Sequence, residues 1–119
     1  MKLYGLRIFV SDIEKAREFY AETLGLPLSW DMPELGAFGA KLDNAELIIE
    51  QAHNEEDQEY IGRFLGASLQ VDDIVDTYER LCEKGVAFTS PPEKQVWGGV
   101  LAHFHDPFGN VLTLLGEPR

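Results

Sequence analysis

At 119 residues the chain is long enough to bury one real core and too short for two independent ones, so a single domain spanning 1–119 is expected. Its 21 acidic residues against 10 basic ones leave a formal charge of -11, which opposes binding to nucleic acid and to anionic membranes; neutral or cationic partners are easier to accommodate. No apolar stretch approaches the length of a membrane span.

The opening M K L Y G L R I F V runs into a strand pattern without the apolar run of a signal peptide, which predicts a cytoplasmic protein. Leu6, Ile8 and Val10 lie on one face of that strand, with Gly5, Arg7 and Phe9 on the other. Ser11 or Asp12 offers an N-cap, and Ile13, Ala16, Phe19, Tyr20 and Leu24 follow at helical spacing until Gly25 ends the helix. Pro27 to Asp31 reads as a short strand and Met32 to Gly36 as a loop. Ala37–Leu42 and Ala45–Gln51 form a hairpin about Asp43 and Asn44, residues that tolerate the positive φ of a tight turn. In its second strand Leu47 and Ile49 oppose Glu46, Ile48 and Glu50. The acidic stretch from Ala52 to Leu65 is a connection, with Tyr60, Ile61 and Phe64 suggesting one packed turn.

The opening pattern then recurs. Ala67, Leu69 and Val71 alternate with Gly66, Ser68 and Gln70. Asp72 or Asp73 caps a helix bearing Ile74, Val75, Tyr78, Leu81 and Cys82, closed by Gly85. With no second cysteine, Cys82 is expected to be a buried, inert thiol. Val86–Thr89 is a short strand broken by Ser90, Pro91 and Pro92. The chain ends in a hairpin over Val100 to Leu115, turned by Asp106, Pro107 and Gly109. The recurrence of V10 S D I as V71 D D I, half a chain apart, marks a duplicated unit of strand, helix and three strands.

A helix on one face of each four-stranded sheet leaves the other face uncovered. In the first half that face collects Gly5, Arg7, Phe9, Glu46, Ile48 and Glu50. In the second it collects Gly66, Ser68 and Gln70, then Leu101, His103, His105, Val111, Thr113 and Leu115. Apolar surface with a few convergent polar groups is the composition of a ligand cleft.

The duplicated unit, with F Y A E T L G L at Phe19–Leu26, V D D I at Val71–Ile74 and D P F G N V at Asp106–Val111, resembles the vicinal oxygen chelate superfamily over essentially the whole chain. That superfamily includes glyoxalase I, bleomycin resistance proteins, fosfomycin resistance enzymes and extradiol dioxygenases. The resemblance implies an α+β fold of two tandem βαβββ modules, about 1–51 and 66–119 joined by 52–65. Their sheets would curl into a cleft with the helices outside, commonly completed by a second subunit. It also implies that the family's metal ligands, matched position by position, fall on Gly5, Glu50, Gly66 and Thr113. Only Glu50 is a strong ligand, so the usual metal centre is expected to be absent, and no cofactor is expected.

Glu50 is then either a functional carboxylate or the partner of Arg7, and Arg7 either binds an anionic group or neutralises Glu50. His103 and His105, at i and i+2, can present two imidazoles to one metal and with Glu50 could form a displaced two-His, one-carboxylate centre; ordinary face-lining histidines are the alternative. Trp30 and Trp97, at loop–strand boundaries, suit either a lid over an apolar or cationic ligand or a subunit contact. The candidate ligand-binding set is Arg7, Phe9, Glu50, Ser68, Gln70, Trp97, His103, His105 and Thr113. The leading expectation is a metal-free homodimer that sequesters a small, possibly cationic, organic molecule, resembling the bleomycin resistance type. The alternative is a glyoxalase-like lyase, isomerase or dioxygenase, with Glu50 as general base or as part of a non-standard metal site.

Overall fold

The computed structural model describes residues 1–117. The chain forms two compact units, Met1–Ile61 and a second that begins at Gly62. The first contains β1 (Gly5–Val10), α1 (Ile13–Arg17), β2 (Leu28–Met32), β3 (Ala37–Lys41), β4 (Glu46–Gln51) and the short α2 (Glu55–Glu59). The second contains β5 (Phe64–Gln70), α3 (Ile74–Glu83), β6 (Ala87–Phe88), β7 (Glu93–Lys94), β8 (Val100–His105) and β9 (Val111–Gly116). This is an α+β fold built on the predicted repeat of strand, helix and strands.

In the first unit the strand order is β1-β4-β3-β2, with β1 parallel to β4 and the other pairs antiparallel. The helix starts at Asp12, whose Oδ1 accepts the backbone N–H of Glu14 and of Lys15, each at 3.1 Å. Period-2 alternation buries Ile8, Val10, Phe38, Ala40, Leu47 and Ile49 on the helix side, against Ala16 and Tyr20. Arg17 of α1 lies over the Phe38 ring at 5.3 Å. Gln51 ties the β1–α1 connection to β4: its amide donates to the Ser11 carbonyl at 2.7 Å and its Oε1 accepts from the Ile13 N–H at 2.9 Å.

Two local expectations are corrected in this unit. The predicted single α-helix widens into a π-helical segment over Glu18–Thr23. There the Leu24 N–H reaches the Phe19 carbonyl at 2.9 Å, and the Leu26 N–H closes on the Tyr20 carbonyl past Gly25. The wide turn lets the consecutive Phe19 and Tyr20 rings both point inward, edge to face at 5.0 Å. The Asp43–Asn44 turn also forms without the expected positive φ, which no non-glycine residue among those described adopts. The Leu42 N–H donates to the Ala45 carbonyl at 2.9 Å, so the strands are joined by a connection that does not need the left-handed residues of a primed turn.

In the second unit the order is β5-β9-β8-β6, with β5 parallel to β9, and β7 also pairs with β8. The sheet therefore has five strands where four are predicted. Ser90, Pro91 and Pro92 interrupt the strand on the outer edge of β8, because proline offers no N–H to a ladder, and two short pieces pair there in its place. Asp73 caps α3 by accepting the Asp76 N–H at 3.0 Å. The helix buries Ile74 and Leu81 over the face of Val100, Ala102, Phe104, Leu112 and Leu114, with Tyr78 edge-on to Phe88 at 4.8 Å. Cys82 is exposed, contrary to expectation. It lies one residue past buried Leu81, hence about 100° further round the helix. Its hydrogen bond with Tyr78 pushes that phenol's pKa up.

The Asp106–Asn110 turn forms as predicted. Asp106 Oδ1 accepts the N–H groups of Phe108 and Asn110, each at 2.9 Å, and Gly109 has φ +84°. Asn110 adds a function the turn signature did not disclose. Wholly buried, it donates from Nδ2 to Asp106 Oδ2 at 2.8 Å, and its Oδ1 accepts from the Gly62 N–H at 2.8 Å and the Arg63 N–H at 3.3 Å, fastening the entry to β5. No helix among the described residues is long and apolar enough to cross a membrane.

Candidate functional site

Each sheet carries its chemistry on the face away from its helix. In the first unit β1, β4 and β3 align Arg7 with Ile48 and Gly39, and Phe9 with Glu50 and Ala37. Arg7 reaches diagonally to Glu50 and grips it with two bonds, Nε to Oε2 at 2.6 Å and a terminal nitrogen to Oε1 at 2.9 Å. The Arg7 side chain is 63% exposed and that of Glu50 23%, so water screens much of the attraction. The hydrogen bond to Glu50, and then its charge, raise the Arg7 pKa further above its ordinary range. Arg7 also lies 5.3 Å above the Phe9 ring, and Phe9 packs on Tyr60 from beyond α2, with centroids 5.4 Å apart. Glu50 is thus a paired carboxylate, not the lone one that proton abstraction would favour.

The same face holds a cluster that strand alternation alone does not disclose. Between Leu28 and Trp30 the β2–β3 register slips by one residue at Ser29, and such a bulge turns successive side chains to one side. Ser29 Oγ and Trp30 Nε1 then both donate to Glu46, at 2.6 and 2.8 Å. With Tyr4 they lower the Glu46 pKa below the usual carboxylate range, and the bond to Glu46 pushes the Tyr4 phenol up. Trp30 lies within β2 and crosses Gly39, where an added Cβ would fall 2.3 Å from the indole nitrogen. Glycine inside a strand signals such a close approach, and Gly39 is the sequence signal for where the Trp30 indole lies.

In the second unit three cross-strand rows form. Ser68, Thr113 and His103 share one, Gln70, Leu115 and Leu101 the next, and Phe64, Val111 and His105 the third. Thr113 is only 2% exposed, and its hydroxyl meets His103 Nδ1 at 2.8 Å. The Phe64 ring stands edge-on to the His103 ring at 5.8 Å and is itself exposed. Phe64 belongs to β5, not to the preceding connection. Opposite Val111 to Thr113 the strand spends two extra residues around Gly66, an even number that leaves the alternation in phase. Ser68 and Gln70 are exposed and His105 is half-buried. Gln70 and Leu115 also border an open recess of roughly 460 Å³, lined as well by Glu117 and the Trp97–Gly99 turn.

The four positions at which the resemblance puts metal ligands do not make a donor set. A Cβ on Gly5 would fall 2.6 Å from the backbone oxygen of Glu46, so no side chain fits there without moving β4. Gly66 has φ +68°, the left-handed region, which costs any side chain more than it costs glycine. Glu50 is held by Arg7, and the Thr113 hydroxyl by His103. Among the described residues no group of three or more His, Cys, Asp or Glu side chains gathers where a metal could be held.

Comparison with known proteins places this geometry in a lineage. A solved structure of a superfamily member from Sphaerobacter thermophilus is 33% identical with a TM-score of 0.82, covering 98% of each chain. TnmS3, an antibiotic binding protein from Streptomyces sp. CB03234, is 31% identical with a TM-score of 0.83, covering 99% of this chain and 97% of that one. A protein named "Probable lactoylglutathione lyase" from Synechocystis is 30% identical over 97% of this chain and 95% of its own length. The family model for the Glyoxalase/Bleomycin resistance protein/Dioxygenase superfamily matches residues 3–114, and the chain belongs to that superfamily.

Proposed function

We propose that this protein binds a small organic molecule without a metal ion and acts by sequestering it, as a cytoplasmic homodimer whose chain serves as one ligand-binding domain. One observation carries the reading. Two of the four positions that would hold a metal are glycines, Gly5 where an added Cβ would strike the Glu46 carbonyl and Gly66 where the positive φ disfavours a side chain, while aromatic groups beside polar handles line both helix-free faces. Trp30 sits by Glu46 and Phe64 by His103, and Trp97 stands near Gln70. Binding on such faces requires affinity and shape alone, and the charge of -11 favours a neutral or cationic guest. That TnmS3 is an antibiotic binding protein agrees with this reading.

Elemental analysis of the purified protein, with thermal shifts against cationic, neutral and anionic aromatic compounds, tests it. Sub-stoichiometric metal and a rise in Tm with cationic or neutral compounds are expected. Stoichiometric metal that is lost in Glu50→Gln or His103→Ala overturns it.

The name of the Synechocystis relative favours a second reading, a lyase in which Glu50 takes the proton. A general base needs a lone pair within reach of substrate, and Arg7 engages one lone pair on each Glu50 oxygen and holds the carboxylate against its own side chain. Formation of lactoylglutathione that is abolished in Glu50→Gln would establish this reading in place of sequestration.

A further inference from the structure

We infer that His103 selects for a carbonyl oxygen on the guest, because Thr113 fixes its imidazole as the tautomer protonated on Nε2 and so turns a hydrogen-bond donor to the helix-free face of the second unit. This rests on the small-molecule reading above and names the class of guest, a neutral carbonyl compound. The Thr113 hydroxyl is buried in β9, and its contact with His103 Nδ1 at 2.8 Å is the one hydrogen bond that it makes among the described residues. A hydroxyl carries one hydrogen, and a neutral imidazole carries one on either nitrogen. Were the ring hydrogen on Nδ1, it would point at Thr113 Oγ, and the hydroxyl hydrogen would be buried with no acceptor, a loss that native interiors avoid. The reverse arrangement satisfies both groups: Thr113 donates, Nδ1 accepts, and the ring hydrogen sits on Nε2.

Nε2 is the ring nitrogen further from the backbone, and it has no hydrogen-bond partner among the described residues. The row of Ser68, Thr113 and His103 and the row of Phe64, Val111 and His105 hold no carboxylate to take its hydrogen. Ser68 is exposed, and its hydroxyl can donate or accept, so it does not discriminate between guests. Phe64 stands edge-on to the His103 ring and is 65% exposed, which sets an open apolar surface beside the donor. A guest whose oxygen accepts from Nε2 while its hydrocarbon covers Phe64 satisfies both. A guest N–H at the same place would meet the Nε2 hydrogen with its own. An ammonium would find no carboxylate in either row, and a carboxylate would enter against a net charge of -11, which leaves the neutral carbonyl as the group that fits.

Nitrogen NMR of the histidine rings in the full chain, at about pH 8, reads the tautomer directly. Titration with 1-indanone, indane and indoline, rings of similar shape that carry an acceptor, neither group and a donor, reads its consequence. His103 is expected to show a protonated Nε2 and an unprotonated, hydrogen-bonded Nδ1. 1-Indanone is expected to bind and to shift the Nε2 signals, with indane about fivefold and indoline about tenfold weaker. Thr113→Val, which removes the hydroxyl, is expected to mix the tautomers and to narrow the preference for 1-indanone over indoline to about twofold. His103→Phe, which keeps a ring beside Phe64, is expected to abolish that preference; a Tm close to wild type in this variant separates loss of selectivity from loss of fold. A ring hydrogen on Nδ1, tighter binding of indoline than of 1-indanone, or a ketone preference that survives His103→Phe overturns the inference and leaves the small-molecule reading standing. Tighter binding of indane-1-carboxylate overturns the neutral class. Absence of binding by all four rings overturns the guest class, and the broader reading then falls only if the wider thermal-shift panel is silent too.

Discussion

Replacing Gly66 is the sharpest probe of the premise that this chain has given up a metal position. The residue sits at φ +68°, where an L side chain costs about 1–2 kcal/mol because Cβ crowds the adjoining carbonyl. Space itself is not limiting, since the nearest heavy atom to an added Cβ is Phe64 Cε2 at 3.7 Å, an ordinary contact. The cost of Gly66→Ala should therefore be conformational: about 1–2 kcal/mol of stability, read as a lower urea midpoint with unchanged slope and a Tm lower by several degrees. Gly66→Asn should recover part of the loss, since asparagine tolerates the left-handed region. Gly66→His should lose as much as alanine and take up no zinc, even combined with Thr113→Glu. A midpoint for Gly66→Ala equal to or above wild type would show that the β5 irregularity is not held left-handed. Stoichiometric zinc in Gly66→His at undiminished stability would refute the claim that the backbone excludes a ligand there.

Asn110→Ala should cost about 2 kcal/mol in urea unfolding, since it removes the acceptor of the part-buried Gly62 and Arg63 N–H groups at the entry to β5 and the donor to the buried Asp106 carboxylate; a loss below about 0.5 kcal/mol would show that water or a shifted chain replaces it. Because hydrogen bonds from Ser29, Trp30 and Tyr4 depress the Glu46 pKa in the folded state, its contribution is present above the unfolded value of 4.5 and is lost as pH falls through the lower folded value. The acid limb of stability should accordingly be shallower in Glu46→Gln than in wild type over about pH 6 to 3, and superimposable limbs would contradict the cluster. Arg7→Ala should change stability by no more than about 1 kcal/mol, since the pair it breaks is largely in water, and a loss of about 3 kcal/mol would mean that Glu50 is far more buried than its geometry implies.

Much of the fold was legible because its signals are local. The Leu47 and Ile49 against Glu46, Ile48 and Glu50 alternation, the caps at Asp12 and Asp73, and the Asp106 turn each depend on residues within a few positions of one another. The two halves showed themselves for the same reason, since V10 S D I and V71 D D I each set a strand end and a helix start. Legibility stopped where neighbouring strands choose their offset. Period-2 reasoning set Arg7 and Glu50 on one face and named their pairing as an alternative, but the two-point grip comes from the parallel register of β1 on β4. Nothing local announces the slip at Ser29 that turns Trp30 toward Glu46, and the acidic run before Phe64 masks the start of β5.

The amino-acid sequence by itself determined the α+β class, the duplication and the sign of the surface charge, since these follow from composition and from patterns a few residues long. Only the tertiary structure decided that Trp30 and Tyr4 converge on Glu46, that Phe64 faces His103, and that Trp97 lies against Gly99 beside Gln70 and Leu115. Except for the local contact of Trp97 with Gly99, each of these meetings depends on inter-strand register or bulges, which the free energy of the assembled sheet selects and no short window of residues encodes.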